Sequence, residues 1–164
     1  MNITLIGMAG AGKSFVGEKL AAALNFSFVD TDKQMEEHYK MPLQDILDVL
    51  GEEKFLEVEA REVISLGDRE HAVIAPGGSI IYSQEAIQYL KRCSKIVYLA
   101  ALPDTIEKRI DTKSRGIVGL GNKSFADLYA ERKSAYEDIA DIQINTEALG
   151  ADEIVMQIRK SLRI

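Results

Sequence analysis

The stretch Ile3-Thr4-Leu5-Ile6-Gly7-Met8-Ala9-Gly10-Ala11-Gly12-Lys13-Ser14-Phe15-Val16 decides how this chain folds. Ile3 to Ile6 is a short apolar run of strand length, ended by glycine. Lys13 to Leu24 follows with apolar residues at Phe15, Val16, Leu20, Ala23 and Leu24, which is helical spacing. Between the two, Gly7 to Ser14 match G-x-x-x-x-G-K-[ST] at every fixed position. Gly7, Gly10 and Gly12 allow backbone angles and a closeness of approach that a Cβ would obstruct. The N–H groups of Gly10, Ala11 and Gly12, with those of Ser14 and Phe15 at the helix start, then point toward anionic phosphates. Lys13 brings a positive charge to the β- and γ-phosphates, and the Ser14 hydroxyl is a ligand for magnesium. The competing reading, a chance glycine-rich turn, does not account for a strand before the motif and a helix after it.

Outward from this stretch, short apolar runs alternate with longer helical periods. Phe26–Val29, His71–Ala75, Lys95–Ala100 and Ile142–Ile144 read as further strands. Helical patterns cover Leu43–Leu50, Glu52–Leu66, Gln84–Arg92, Asp104–Asp111, Phe125–Ala140 and Ala151–Leu162. Strands alternating with helices predict an α/β fold, a parallel sheet with helices on both faces. No composition break divides the 164 residues, so one domain over 1–164 is expected. Residues 111–124 (DTKSRGIVGLGNKS) have little periodicity, and a loop of this length in a compact domain is often a lid. A mobile connection without a role is the plainer alternative.

Asp30-Thr31-Asp32 follows directly on the second strand, at the edge where parallel sheets meet ligands. One carboxylate is suited to hold magnesium, directly or through water. The other is suited to orient or deprotonate an acceptor hydroxyl. A helix N-cap is the alternative, since Asp and Thr are favoured there. Pro76-Gly77-Gly78-Ser79 follows the third strand at the same edge, where two glycines let the backbone lie against a ligand; a tight turn is the alternative. Arg109, Arg115 and Arg132 offer guanidinium groups to a transferring phosphoryl group, but pattern alone does not choose among them.

Composition narrows the partners. The formal net charge is −6, with no basic stripe, which argues against nucleic acid. Cys93 is the only cysteine, so neither an intramolecular disulfide nor a cysteine-rich metal cluster is expected. No segment approaches the roughly 20 apolar residues of a membrane span, and the N-terminus lacks a signal peptide's basic region. A cytoplasmic protein without membrane contact, acting as a monomer, is the expectation.

Taken in order, these segments resemble the shikimate kinase family along essentially the whole chain. The anchors are GMAGAGKS at Gly7–Ser14, DTD at Asp30–Asp32, GEEKFLEVEA at Gly51–Ala60, PGGS at Pro76–Ser79, SRG at Ser114–Gly116 and RKSAY at Arg132–Tyr136. The resemblance implies a five-stranded parallel sheet in order 2-3-1-4-5 with a closing lid. It implies transfer of the γ-phosphoryl group of ATP to the 3-hydroxyl of shikimate, with Mg2+. Asp30 is then similar to the magnesium-side carboxylate, and Asp32 to the one that holds the acceptor hydroxyl. Gly77 and Gly78 are similar to the pair lining the acceptor site. Arg109 corresponds to an arginine covering adenine, Arg115 to the lid arginine near the transferring phosphate, and Arg132 to one holding the acceptor carboxylate. Lys13, Asp32 and Arg115 are accordingly the expected catalytic residues.

Three departures all fall on the acceptor side or the lid. Leu56 stands where the family's GExxFRxxE stretch has an arginine that contacts the acceptor carboxylate. Losing such a charge-assisted bond costs roughly 1.5–3 kcal/mol. Ser79 replaces the third glycine of a three-glycine turn, and Arg115-Gly116-Ile117-Val118 replaces Arg-Pro-Leu-Leu. Arg61, five residues beyond Leu56, projects about 140° away around a helix and is a poor substitute. Two other functions compete: a P-loop kinase for another hydroxylated metabolite, a sugar acid or a nucleotide, and a nucleotide-binding regulator without catalysis.

Overall fold

The computed structural model describes residues 1–110 and 116–164. Five strands, β1 (Asn2–Ile6), β2 (Ser27–Asp30), β3 (Ala72–Ala75), β4 (Ser94–Ala100) and β5 (Ile142–Asn145), form one sheet in the order β2-β3-β1-β4-β5. Every neighbouring pair is parallel. The fold class, the strand order and the five expected strands are therefore all found, each within a residue or two of its expected bounds.

Side-chain alternation along the strands builds two cores. Ile3 and Leu5 of β1, Val73 of β3, and Val97 and Leu99 of β4 face one side. There they meet Val16 and Leu20 of α1 (Lys13–Leu24), and Ile154 and Ile158 of α7 (Ala151–Leu162). Ile6, Ile74, Ile96 and Tyr98 face the other side. They pack on Val63 of α3 (Leu43–Ile64), Leu90 of α4 (Gln84–Cys93) and Tyr136 of α6 (Phe125–Ile139). After β4 comes α5 (Pro103–Arg109).

One element departs from expectation. Residues Thr31–Tyr39 form a helix, α2, which Asp30 caps, so the N-cap alternative holds and Thr31 and Asp32 sit in its first turn. The sequence TDKQMEEHY has only Met35 and Tyr39 to bury, a single i, i+4 pair, which is too thin an apolar stripe to read as a period. Helix α3 joins two expected helices across a kink at Gly51, whose φ of 74° is left-handed. A smaller third cluster, of Met35, Leu43, Ile46, Leu47, Phe55, Val58 and Val118, fastens α2 and α3 together.

Candidate active site

The phosphate loop takes its shape from the strand before it and the helices beside it. Gly7, Gly10 and Gly12 have φ of 147°, 83° and 91°. At Gly10 space matters as well: a Cβ there would stand 2.8 Å from Ile110 Cγ1. Ala11 N–H donates to Met8 O at 3.1 Å and closes the loop, and Gly12, in the left-handed region, starts α1. Lys13 Nζ donates to Gly7 O at 2.9 Å and to Met8 O at 3.2 Å, curled over the loop it serves. Ser14 Oγ donates to Asp30 Oδ2 at 2.6 Å.

Asp30 is both a helix cap and a partner of the phosphate loop. Its Oδ1 accepts from Lys33 N–H at 3.1 Å and caps α2, while Oδ2 holds Ser14. The Ser14–Asp30 pair offers closely set hard oxygen donors at the loop's end, the chemistry that magnesium takes in company with phosphate and water. Among the described residues there is no group of three His, Cys, Asp or Glu side chains able to hold a metal alone.

Two cavities meet at this end of the sheet. The larger, of about 580 Å3, is lined by Ala9, Gly10 and Gly12 to Phe15 of the phosphate loop, with Asp30, Asp32 and Arg109. Phe15 does not join the core as its spacing suggested: it is 62% exposed and lines this opening. The smaller cavity, of about 20 Å3, lies between Asp32, Glu59, Gly77, Gly78, Ser79 and Arg132 and is roofed by Ile117 and Val118. Asp32 lines both.

Arg132 is buried, at 2% exposed. Its Nη2 donates to Val118 O at 2.8 Å, its guanidinium lies over the Tyr82 ring at 5.5 Å, and its Nε has no hydrogen-bond partner among the described residues. A buried cation with an unspent donor is costly unless a ligand meets it. Gly78 is where the parts touch: a Cβ there would stand 3.1 Å from Arg132 Nη1, 3.1 Å from Tyr136 Oη and 3.3 Å from Gly7 O. Tyr136 Oη donates to Gly78 O at 2.7 Å and locks this turn to α6.

Sequence reasoning assigns Glu59 no role. It is 1% exposed, and its Oε2 accepts from Ser79 Oγ at 2.7 Å. Burial, and then the negative charge of Asp32, push its carboxyl up to about 8, against the Ser79 hydrogen bond and the positive charges of Arg132 and Lys13. Its signal was legible: an acid on the buried stripe with Phe55, Val58 and Val63, where a solvated face would carry it. Leu56 is half-buried against the third cluster, and Arg61 points to solvent in a pair with Glu57, so no arginine of α3 serves the small cavity.

Of the segment 111–124, expected to be a lid, the described residues begin at Gly116. Arg115, expected at the transferring phosphate, lies outside the described residues. Beyond it Ile117 and Val118 are buried, and Gly119 N–H donates to Glu52 Oε1 at 2.8 Å, which seats this segment on α3.

The chain is similar to known proteins along nearly its whole length. The family model described as shikimate kinase matches residues 9–163. A shikimate kinase of Moorella thermoacetica is 35% identical over 164 residues, covering 99% of this chain and 94% of the relative. One from Lactococcus lactis subsp. cremoris is 35% identical over 166 residues, covering 100% and 99%. A solved shikimate kinase from Acinetobacter baumannii in complex with shikimate superposes with a TM-score of 0.91 at 28% identity, covering 99% of this chain and 92% of that one.

Proposed function

The chain belongs to the shikimate kinase family, an ATP-dependent phosphotransferase with an alcohol acceptor, and on that premise we propose that it transfers the γ-phosphoryl group of ATP to the 3-hydroxyl of shikimate. The observation that carries the reading is Asp32, which lines the phosphate-loop cavity and the small polar cavity together. A carboxylate at that junction meets the acceptor hydroxyl where the donor phosphate ends.

In this reading ATP lies in the larger cavity, its phosphates on the N–H groups from Gly10 to Phe15, with Arg109 against adenine. Shikimate enters the smaller one, its carboxylate toward Arg132 and its ring hydroxyls over Gly77 and Gly78. The small cavity holds little more than one water as it stands, so the segment bearing Ile117 and Val118 lifts to admit the acceptor. Asp32 accepts the hydrogen bond of the 3-hydroxyl and takes its proton as the oxygen attacks phosphorus. A new ester O–P bond forms while the bond from the γ-phosphorus to the bridging oxygen breaks and ADP leaves. Lys13 stabilises the negative charge gathering on the phosphoryl oxygens, and Arg115 is assigned the same task from the lid.

Ser14 and Asp30 would hold Mg2+, which when bound neutralises phosphate charge and orients the β- and γ-oxygens. Among the described residues no helix is long and apolar enough to cross a membrane. The reading includes a monomer working in the cytoplasm, with no nucleic-acid partner. A coupled assay of ADP release tests it: ADP should form only when shikimate is added, and a rate equal to ATP hydrolysis alone would exclude this acceptor.

A further inference from the structure

Glu59 and Asp32 converge on one point at the floor of the small cavity. A Cβ placed on Gly77 would stand 2.0 Å from Glu59 Oε1 and 2.7 Å from Asp32 Oδ1. The other oxygen of Glu59 is held by the Ser79 hydroxyl at 2.7 Å, across 20 residues of chain, and Ser79 is itself only 5% exposed. A buried carboxyl needs a cation or a hydrogen bond to fix it. On a helix the natural place for that cation is three residues earlier, on the same face. In α3 that residue is Leu56, which packs on the cluster that includes Val118 and offers neither charge nor donor.

We propose that Ser79 is a positioning residue for the acceptor: its hydroxyl fixes the Glu59 carboxyl in place of a cation at position 56, and Glu59 so held meets a second acceptor hydroxyl beside the one on Asp32. The inference rests on the acceptor being shikimate, whose neighbouring ring hydroxyls suit two adjacent carboxyl groups. Four other groups also act on Glu59: Asp32 from α2, Lys13 from α1, and Arg132 and Tyr136 from α6. In its protonated form Glu59 accepts from Ser79 and offers its own O–H to the ligand, while Asp32 remains the acceptor for the attacking hydroxyl. The division of labour needs no charge at position 56.

Kinetics of Ser79→Gly, Leu56→Arg and their double variant, with Ser79→Ala beside them, test this. Ser79→Gly and Ser79→Ala should raise the KM for shikimate about tenfold, the scale of one buried hydrogen bond left unmade, with kcat and the KM for ATP altered less than about twofold. In the Leu56→Arg background, Ser79→Gly should cost little, because an arginine three residues before Glu59 then fixes the carboxyl. In the wild type the KM for shikimate should rise as pH passes upward through the ionisation of Glu59. In Ser79→Ala that rise should move to higher pH, because the lost hydrogen bond favoured the ionised form. Thermal unfolding of each variant separates a folding defect from a binding one. Equal losses with and without Leu56→Arg, with the pH profile unmoved, would mean a merely structural serine and overturn the proposal. An unchanged KM in Ser79→Ala, in a wild-type enzyme that does phosphorylate shikimate, would overturn it alone. A wild type that leaves shikimate untouched would remove the acceptor assignment and this inference together.

Discussion

The Ser14 hydroxyl donates a 2.6 Å hydrogen bond to Asp30 Oδ2, tying the last residue of the phosphate loop to the end of β2. The same carboxylate caps α2 through Lys33 N–H. The geometry of the loop and the start of the helix that carries Asp32 are thus fixed through one side chain.

If this pair holds Mg2+, Ser14→Ala and Asp30→Asn should each raise the magnesium concentration that gives half-maximal rate by roughly 10–100-fold, the range found for groups that set a metal's ligands. Titration of the initial rate with MgCl2 at fixed ATP measures this. A requirement identical to that of the wild type in both variants would move the ion elsewhere.

Asp32→Asn keeps the shape of the side chain and removes its basicity. A fall in kcat of roughly 10²–10⁴-fold is expected, with the KM for ATP little changed. Lys13→Ala should lower kcat by roughly 10²–10³-fold, since its charge counts most as the phosphoryl group departs. Steady-state kinetics with each substrate varied in turn distinguishes the two, and a kcat insensitive to both changes would contradict the catalytic roles of Asp32 and Lys13.

Gly77 has an ordinary φ of −58°, so its glycine answers to space and not to strain. A Cβ there would collide with Glu59 Oε1 at 2.0 Å. Gly77→Ala should therefore displace Glu59, lower stability by about 1–3 kcal/mol, and weaken shikimate binding more than ATP binding. Urea unfolding and calorimetric titration of the two ligands would show it; loss of ATP affinity alone would place the glycine in the wrong cavity.

Glu59 also sets a pH dependence of stability. Its carboxyl is raised in the folded protein from an ordinary 4.5 to about 8, so between those values the folded chain binds the extra proton. Its contribution is complete below about pH 4.5 and is lost as pH rises through about 8. Glu59→Gln cannot titrate, so the loss of stability on going from pH 6 to pH 8.5 should be smaller in that variant than in the wild type. Urea midpoints at the two pH values measure the difference, and identical slopes would contradict a raised Glu59.

Much of this was legible in the sequence. The phosphate loop announces itself because its residues are adjacent in sequence and each is fixed by a local need. The strands were legible because β1, β3 and β4 are buried on both faces and read as apolar runs. Helix α2 was hidden, since two apolar residues in nine give no period, although Asp30-Thr31-Asp32 did offer a helix N-cap as an alternative. The acceptor cavity was harder still. Glu59, Ser79, Asp32 and Arg132 come from four separate elements, and only the fold shows that Ser79 reaches Glu59. Leu56 was recognisable as a departure, yet its consequence needed the neighbour three residues on.

Phosphoryl transfer to shikimate can be followed at the phosphorus itself. Purified enzyme, ATP, Mg2+ and shikimate are incubated and the mixture is examined by 31P NMR. A phosphomonoester signal, coupled to the hydrogen on carbon 3 of shikimate, should grow as the γ-phosphate signal of ATP falls. Loss of the γ-phosphate to inorganic phosphate alone, with no ester formed, would contradict that transfer.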